Sequence, residues 1–236
     1  MPDLKRIGHK GADLIVPGNT LASFDAALTA GVHMIEFDVL SENVDGTGRL
    51  LLAHDYHDAE RPDVIELDEG LAHFATDAYA DVELDVDLKL GGYEDRVLAA
   101  LREHDLVERT LVSTMEWPTL RHLRAAEPAL RLGWSVPKVR RDYLASPWTR
   151  YPTYVVLGAA RRALPGRAAR AIRSGAVDAL MSHWALVTPR LVRAIADAGG
   201  ELYVWTVDDA EKIEQLTALG VTGVITNDPR LFPVAP

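Results

Sequence analysis

The sequence of 236 residues contains no cysteine. Disulfide bridges, thiolate metal sites and a cysteine nucleophile are therefore excluded. No stretch approaches the roughly 18 consecutive apolar residues of a membrane-spanning helix. Residues 1–6 are not followed by an apolar run of signal-peptide length. From these absences we expect a cytoplasmic protein, and the reducing cytoplasm is consistent with the lack of cysteine.

Positive charge is also scarce, because the formal net charge is −10. This balance argues against general nucleic-acid binding. The charge is unevenly distributed, however. Residues 131–173 contain ten Lys and Arg but only one acid, Asp142, which gives this segment +9 and leaves −19 on the remainder of the chain.

Short apolar segments alternate with amphipathic segments along the chain. The alternation predicts eight strands, each followed by a helix, at 5–8, 34–40, 82–90, 109–113, 130–136, 176–182, 201–207 and 221–226. Such a repeat is typical of a parallel sheet, and eight repeats in about 250 residues favour a closed (β/α)8 TIM barrel. No G-x-G-x-x-G follows a strand, which counts against a dinucleotide-binding sheet. We predict an α/β TIM barrel that forms a single domain over residues 1–236.

Three local features of the chain are predicted less directly. Residues 49–53 follow a turn and have the pattern of a further strand, whereas residues 55–65 have no regular pattern. Residues 159–173 predict an arginine-rich helix that breaks near Pro165 and Gly166, since proline and glycine both disfavour a helix interior.

Two carboxylates lie two positions apart in Ile35-Glu36-Phe37-Asp38. Residues i and i+2 of a strand share a face, so these acids stand side by side, and one of them resists ionisation unless a cation lies between them. Asp87 of a neighbouring strand would complete an all-oxygen site, for which Ca²⁺ or Mg²⁺ is the natural ligand. The alternatives are acids that face solvent, which a parallel strand covered on both faces disfavours, and a transition-metal site that includes histidine.

His9 and His54 each follow a predicted strand, next to glycine or aspartate, and they flank the acids in sequence. Two histidines suit acid–base catalysis near neutral pH, where one takes a proton and the other donates one. Lys89 shares a strand face with Asp87 and is either a structural ion pair or a phosphate contact. His183 also follows a predicted strand. We predict structural positions for five other histidines, His33, His57, His73, His104 and His122.

The ordered motifs of the chain resemble those of the glycerophosphodiester phosphodiesterases, a family related to phosphatidylinositol-specific phospholipase C and to sphingomyelinase D. The family pattern is H-R-G, P-E-N-T-L-x-S-F, I-E-x-D-V, H-D, E-x-K, V-W-T-V-N and G-V-D-G-I-x-T-D-x-P. The corresponding segments here are 9–11, 17–24, 35–39, 54–55, 87–89, 204–208 and 220–229. Each motif alone is weakly specific, but the ordered set covers almost the whole chain.

The resemblance implies a barrel that binds a divalent cation, Ca²⁺ or Mg²⁺, and cleaves a phosphodiester. By analogy with the family, a hydroxyl of the substrate attacks phosphorus, and water later opens the cyclic phosphate. The resemblance also implies roles for individual residues. His9 and His54 would act as catalytic base and acid, and Glu36, Asp38 and Asp87 would bind the metal. Substrate-binding roles would fall to Lys10, Asn19, Lys89 and Trp205.

The chain departs from the family pattern at three positions. Lys10 replaces the arginine that follows His9 and lacks the bidentate guanidinium, and Gly18 replaces the glutamate of P-E-N-T. If the arginine and the glutamate normally pair, the two changes are consistent with each other. Asp87 replaces a glutamate, and an aspartate with lysine two positions later looks more like the sphingomyelinase D branch.

Residues 138–173 mix arginines with aromatic and apolar residues. Such a mixture is typical of a surface that contacts anionic lipid headgroups, and it would also steer an anionic substrate. The plainer interpretation is a solvated outer helix of the barrel. The residues concerned are Arg140, Arg141, Arg150, Arg161, Arg162, Arg167, Arg170, Tyr143, Trp148, Tyr151 and Tyr154.

The leading functional hypothesis is an enzyme that hydrolyses glycerophosphodiesters to an alcohol and glycerol 3-phosphate. The first alternative is a lysophospholipase D or sphingomyelinase D-like enzyme that acts on lipids, with peripheral membrane contact through the basic segment and a cyclic phosphate product. The second alternative, from another class, is an inactive barrel that binds a phosphorylated ligand. No obligate protein partner is evident from the sequence.

Overall fold

The computed structural model describes residues 4–137 and 147–232, and for residues 147–157 it describes the backbone alone. Strand segments in this part of the chain are short and largely buried. They are β1 (Lys5–Gly8), β2 (Met34–Ser41), β3 (Leu50–Leu51), β4 (Glu83–Leu88), β5 (Thr110–Thr114), β6 (Arg131–Val136), β7 (Ala179–His183), β8 (Glu201–Trp205) and β9 (Gly223–Thr226).

Eight of these strands form one closed parallel barrel. The order around it is β1, β2, β4, β5, β6, β7, β8 and β9, and β1 pairs with both β2 and β9 to close the sheet. β3 is an addition, since its two residues pair antiparallel with the end of β2. The predicted TIM barrel is therefore confirmed, although the strand expected over 49–53 shrinks to β3.

Helices surround the barrel, and several of them begin at residues whose side chains cap the helix. Thr20 and Thr188 each accept a hydrogen bond from a backbone N–H of the first turn, as does Asp209. The helices of the described residues are α1 (Leu21–Thr29), α2 (Tyr56–Ala59), α3 (Leu67–Phe74), α4 (Glu94–Glu103), α5 (Trp117–Ala126), α6 (Pro147–Arg173), α7 (Pro189–Ala196) and α8 (Ala210–Leu219).

The alternation of β2 divides its side chains between two layers. Ile35, Phe37 and Val39 face outward into the main apolar core between strands and helices, where Phe37 stacks on Phe74 with 5.2 Å between ring centroids. The intervening acids therefore face the interior of the barrel. A second apolar cluster fills that interior and includes Ile7, Met34, Leu111, Met181, Tyr203 and Ile225.

Charged side chains close the barrel at the amino ends of the strands. Arg131 bonds to Glu83 over 2.5 Å and to Glu201 over 2.6 Å, and Lys5 bonds to Glu83 over 2.6 Å. The opposite end, where the strands have their carboxyl termini, is consequently the open end.

Two helical segments differ from the sequence prediction. α2 lies in the segment expected to be irregular, where Asp55 caps it by accepting from two backbone N–H groups. α6 continues through Pro165 and Gly166; Leu164 and Pro165 are buried, and the helix packs on α7. That packing offsets the cost of about 3 kcal/mol for an interior proline. No helix of the described residues is both long and apolar enough to cross a bilayer.

Candidate active site

A cavity of about 180 Å³ opens at the carboxyl ends of the strands. This is the end where β/α barrels carry their chemistry. Six of the nine predicted site residues line the cavity: His9, Glu36, His54, Asp87, Lys89 and Trp205. The other three, Lys10, Asn19 and Asp38, lie directly behind its wall.

A tight turn after β1 places His9 at the cavity and Lys10 beside Glu36 and Asp38. A Cβ atom on Gly8 would lie 2.1 Å from the carbonyl oxygen of Gly11, so the turn requires glycine at this position. Lys10 and Gly11 both have positive φ, of 51° and 87°. The resulting conformation directs the backbone N–H of Lys10 to Oε2 of Glu36, over 2.9 Å.

Three carboxylates form what we call the acid cluster: Glu36, Asp38 and Asp87. One oxygen atom of each lies within 4.8 Å of the others. Glu36 and Asp38 are neighbours on β2, and the register of the parallel strands places Asp38 beside Asp87 of β4. Glu36 and Asp38 are buried, whereas Asp87 is half-buried. The predicted juxtaposition of these acids is therefore present in the structure.

Asp38 is held by polar groups on several sides. Asn19 donates from Nδ2 to Oδ2 of Asp38 over 2.9 Å and accepts the backbone N–H of Asp38 over 3.1 Å. The ammonium of Lys10 lies 3.9 Å from the same Oδ2. Lys89 forms ion pairs with both Asp38 and Asp87. Lys10 and Asn19 thus contact an acid rather than line the cavity, and their substrate-binding role stays a prediction.

The concentration of charge shifts the ionisation of these groups in opposite directions. Burial, reinforced by Asp38 beside it, raises the pKa of Glu36 well above its ordinary value. Burial alone would also raise the pKa of Asp38, but Lys89, His54 and Lys10 outweigh it and hold that pKa below its usual range. Burial would lower the pKa of Lys89, but the neighbouring acids raise it well above normal.

The acid cluster fits a hard divalent cation by the chemistry of its donors. Three carboxylate oxygens converge in a largely buried position, which matches the all-oxygen coordination of Ca²⁺ or Mg²⁺. Lys89 supplies positive charge to two of the same carboxylates. A bound cation and the ammonium of Lys89 would therefore compete for Asp38 and Asp87.

A second acidic group consists of His54, Asp55 and Asp58. Two of its members are exposed, and Oδ1 of Asp55 already accepts the backbone N–H groups of His57 and Asp58 at the start of α2. This group therefore has the character of a helix cap, and the acid cluster is the better cation site.

His9 lies between the acid cluster and the end of β9. Its Nδ1 is 2.5 Å from Oδ1 of Asn227, and its Nε2 is 3.8 Å from Oε2 of Glu36. Burial lowers the pKa of His9 below its ordinary value, against the opposing effect of Asp38. This shift favours the neutral ring, which is the state that accepts a proton.

His54 faces the same cavity from the segment after β3. Its side chain is 49% exposed, and its Nδ1 lies 3.4 Å from Oδ2 of Asp55. Trp205 of β8 forms part of the cavity wall and packs edge-on against His183, with 5.3 Å between ring centroids. Two histidines on different sides of one cavity have the arrangement that a base and an acid need.

Several residues at the site are not among those predicted from the sequence. Asp85, Ser113 and Ser135 line the cavity. Burial and the nearby acids Glu36 and Asp87 raise the pKa of Asp85 well above normal. The signal for Asp85 was available, because it shares the strand face of Asp87 at a spacing of two.

The basic segment 138–173 lies partly outside the described residues, including Arg140, Arg141 and the side chains of Arg150 and Tyr154. In the part that is described, Arg161 donates from Nε to the carbonyl of Ala185 over 2.8 Å. The guanidinium of Arg167 lies 5.6 Å from the ring centroid of Trp134. Both arginines contact the barrel, and lipid binding by this segment stays a prediction.

Comparison with known protein families gives a match over most of the chain. The profile of the glycerophosphoryl diester phosphodiesterase family matches residues 53–231. The chain is 25% identical over 255 residues to a glycerophosphodiester phosphodiesterase of Caldanaerobacter subterraneus subsp. tengcongensis, and the alignment covers 94% of this chain and 93% of that protein.

Solved structures with the same fold include two phosphodiesterases. A glycerophosphodiester phosphodiesterase from Parabacteroides distasonis superposes with a TM-score of 0.72 at 16% identity and covers 95% of this chain and 92% of its own. A phosphodiesterase from Oleispira antarctica superposes with a TM-score of 0.70 at 20% identity, and the superposition covers 96% of this chain and 94% of that protein. At these identities the likeness establishes the fold.

Proposed function

Since the chain belongs to the glycerophosphoryl diester phosphodiesterase family and is a phosphoric diester hydrolase, we propose that it hydrolyses glycerophosphodiesters to an alcohol and glycerol 3-phosphate. We further propose that the reaction depends on a divalent cation, Ca²⁺ or Mg²⁺, and on acid–base catalysis by His9 and His54. The Oleispira antarctica phosphodiesterase, which shares the fold, was solved in complex with the product sn-glycerol 3-phosphate. That complex supports the choice of substrate class.

One observation carries the proposal. The acid cluster, His9 and His54 surround a single cavity at the carboxyl ends of the strands, although they come from four separate parts of the chain. A phosphodiester needs positive charge for its oxygens, a base for the nucleophile and an acid for the leaving group. Side chains suited to each of these roles lie at the same cavity, which supports the proposal.

Glu36, Asp38 and Asp87 are the residues that would hold the cation. When bound, the cation would offset the negative charge of the phosphate and lower the pKa of a coordinated hydroxyl. Asn19 keeps Asp38 oriented through two hydrogen bonds. Lys89, once it is released from the acids, would contribute a further positive charge beside the phosphate.

His9 and His54 divide the proton transfers between them. In the first step His9 takes the proton from a substrate hydroxyl that attacks phosphorus, and His54 gives a proton to the departing alcohol, which leaves a cyclic phosphate. In the second step His54 takes a proton from water as it attacks the cyclic phosphate, and His9 returns its proton to the alcohol oxygen that is released. The two histidines therefore end in their starting states, and glycerol 3-phosphate is formed.

The half-exposed position of His54 suits a group that meets the leaving alcohol near solvent. Trp205 offers an apolar surface on the cavity wall for the carbon atoms of the substrate. Lys10, with its backbone on Glu36 and its ammonium near Asp38, is placed to add positive charge behind the acid cluster.

The test is release of glycerol 3-phosphate from a soluble glycerophosphodiester, measured by phosphorus NMR. We expect activity that is lost on chelation and restored by Ca²⁺ or Mg²⁺. His9→Ala and His54→Ala should each reduce kcat by roughly 10²- to 10⁴-fold. His57→Ala is the matched control, since this exposed histidine lies outside the cavity lining.

Unchanged activity in the presence of chelator would refute the cation, and full activity of His9→Ala or His54→Ala would refute the assigned histidine. A panel that also contains lysophospholipids and sphingomyelin tests the lipid alternatives. Lipid turnover in excess of glycerophosphodiester turnover, or an accumulating cyclic phosphate, would replace the proposed substrate or product.

A further inference from the structure

His9 is connected to two further side chains at the rim of the barrel. Its Nδ1 lies 2.5 Å from Oδ1 of Asn227, and Nδ2 of Asn227 donates to Oδ2 of Asp208 over 2.7 Å. Oδ1 of Asp208 also accepts the backbone N–H of Asn227 over 2.8 Å and the hydroxyl of Thr226 over 3.0 Å. Asp208 therefore fixes Asn227 through both its backbone and its side chain.

The directions of these hydrogen bonds determine which nitrogen of His9 carries the proton. A carboxylate has only acceptor atoms, so the amide of Asn227 turns its NH₂ group to Asp208 and its carbonyl oxygen to His9. A carbonyl oxygen accepts only, and the neutral ring of His9 is therefore protonated at Nδ1. The lone pair is left on Nε2, the atom that lies 3.8 Å from Oε2 of Glu36.

We propose that Asn227 and Asp208 are positioning residues that hold His9 in the tautomer whose Nε2 accepts a proton. The catalytic meaning of this inference rests on the proposed function, in which His9 is the base. The tautomer itself is a property of the folded chain, because it follows from hydrogen bonds among three side chains. Neither positioning residue needs to touch the substrate for this effect.

Relative to the family pattern, the amide and the carboxylate of the two positioning residues have exchanged positions. The pattern V-W-T-V-N has asparagine at the position of Asp208, and T-D-x-P has aspartate at the position of Asn227. Either order provides one amide and one carboxylate, and each hydrogen bond survives if donor and acceptor change places. A double exchange should therefore be tolerated where a single exchange is not.

The decisive variant is Asp208→Asn. Its new amide must turn its oxygen to the hydroxyl of Thr226 and the backbone N–H of residue 227, so its NH₂ group faces Asn227. Asn227 then turns its own NH₂ group to His9, which moves the ring proton to Nε2. We expect kcat to fall by roughly 10²- to 10⁴-fold with little change in KM, and the double variant D208N/N227D to recover most of the loss.

The tautomer is measured by nitrogen-15 NMR of the imidazole rings at a pH of about 8, where an ordinary histidine is neutral. The variant His9→Gln identifies the signals of His9. We expect the proton on Nδ1 in the wild type and in D208N/N227D, but on Nε2 in Asp208→Asn. Asp209→Asn is the matched control, since it removes a neighbouring exposed acid and asparagine also caps a helix.

A ring proton on Nε2 of the wild-type His9 would overturn the inference. A folded Asp208→Asn protein with the wild-type tautomer and kcat would also overturn it, as would a folded double variant that keeps the proton on Nε2. Circular dichroism establishes that each variant is folded. If the tautomer shifts as expected but the wild-type protein hydrolyses no phosphodiester, the positioning inference stands and the proposed function falls.

Discussion

Replacement of Lys89 by methionine separates the role of this ammonium from that of a bound cation. Lys89 is 19% exposed and pairs with Asp38, which is fully buried, and with Asp87, which is 17% exposed. Lys89→Met keeps the apolar stem but leaves these like charges without their shared partner. Loss of one partner of a buried ion pair costs about 3 to 5 kcal/mol, and we expect this loss in the free energy of unfolding when a chelator is present.

A divalent cation should reverse much of that loss. A ligand that binds only the folded state stabilises it by about 2.7 kcal/mol at a concentration of 100 times Kd. In the wild type the cation must displace Lys89 from two carboxylates, whereas in Lys89→Met it meets free acids. The gain in stability on adding Ca²⁺ or Mg²⁺ should therefore be larger for the variant than for the wild type.

The assay is urea unfolding of both proteins with chelator and with saturating cation. Lys5→Met is the matched control, because Lys5 is 20% exposed and pairs with Glu83 inside the same barrel, at its opposite end. Its loss of stability should be independent of the cation. Equal gains from the cation in the wild type, Lys89→Met and Lys5→Met would refute the competition and with it the placement of the cation.

Three other substitutions probe the acids, the loop after β1 and the closed end of the barrel. Burial and a neighbouring acid raise the pKa of Glu36, so in the presence of chelator the free energy of unfolding of the wild type should fall as pH rises from about 4.5 through that raised pKa. Urea unfolding of the wild type and of Glu36→Gln measures this dependence. The same pH dependence in both proteins would contradict the expectation. A Cβ atom on Gly18 would lie 2.6 Å from the carboxylate of Asp13, so Gly18→Glu should lower the free energy of unfolding by about 1 to 3 kcal/mol. Asp13→Ala should restore part of this stability, as measured by thermal unfolding. An unchanged Tm of Gly18→Glu would contradict the expectation. Arg131→Met removes the shared partner of two half-exposed glutamates and should lower the free energy of unfolding by about 1 to 3 kcal/mol. The affinity for the cation, measured by calorimetry, should be unchanged. A weakened affinity would show that the two ends of the barrel are coupled.

The sequence was sufficient to predict the barrel because eight short apolar segments alternate with amphipathic segments along the chain. Within β2 and within β4 the acids alternate with apolar residues, so the inward position of Glu36, Asp38 and Asp87 followed from the period of two. α2 was missed because four residues are too few to show a helical period. The path of α6 through Pro165 depended on tertiary packing, which local propensity does not contain.

Apart from the acid cluster, the contacts between distant residues were the part of the site that could not be predicted. The pairing of Lys89 with Asp38 depends on the register between β2 and β4, which places Asp38 beside Asp87. The contact of His9 with Asn227 joins residues 218 positions apart and exists only because β1 pairs with β9. Sequence patterns placed these residues at strand ends but did not determine which would touch.

A crystal structure of the protein with Ca²⁺ and glycerol 3-phosphate is the most direct test of the central claim. We predict a cation bound by the acid cluster and identified by its anomalous scattering, with Lys89 displaced from the carboxylates. The phosphate should lie between that cation and His9, with His54 on its other side. A cation bound instead by the exposed group of His54, Asp55 and Asp58, or a phosphate outside the cavity, would contradict the account.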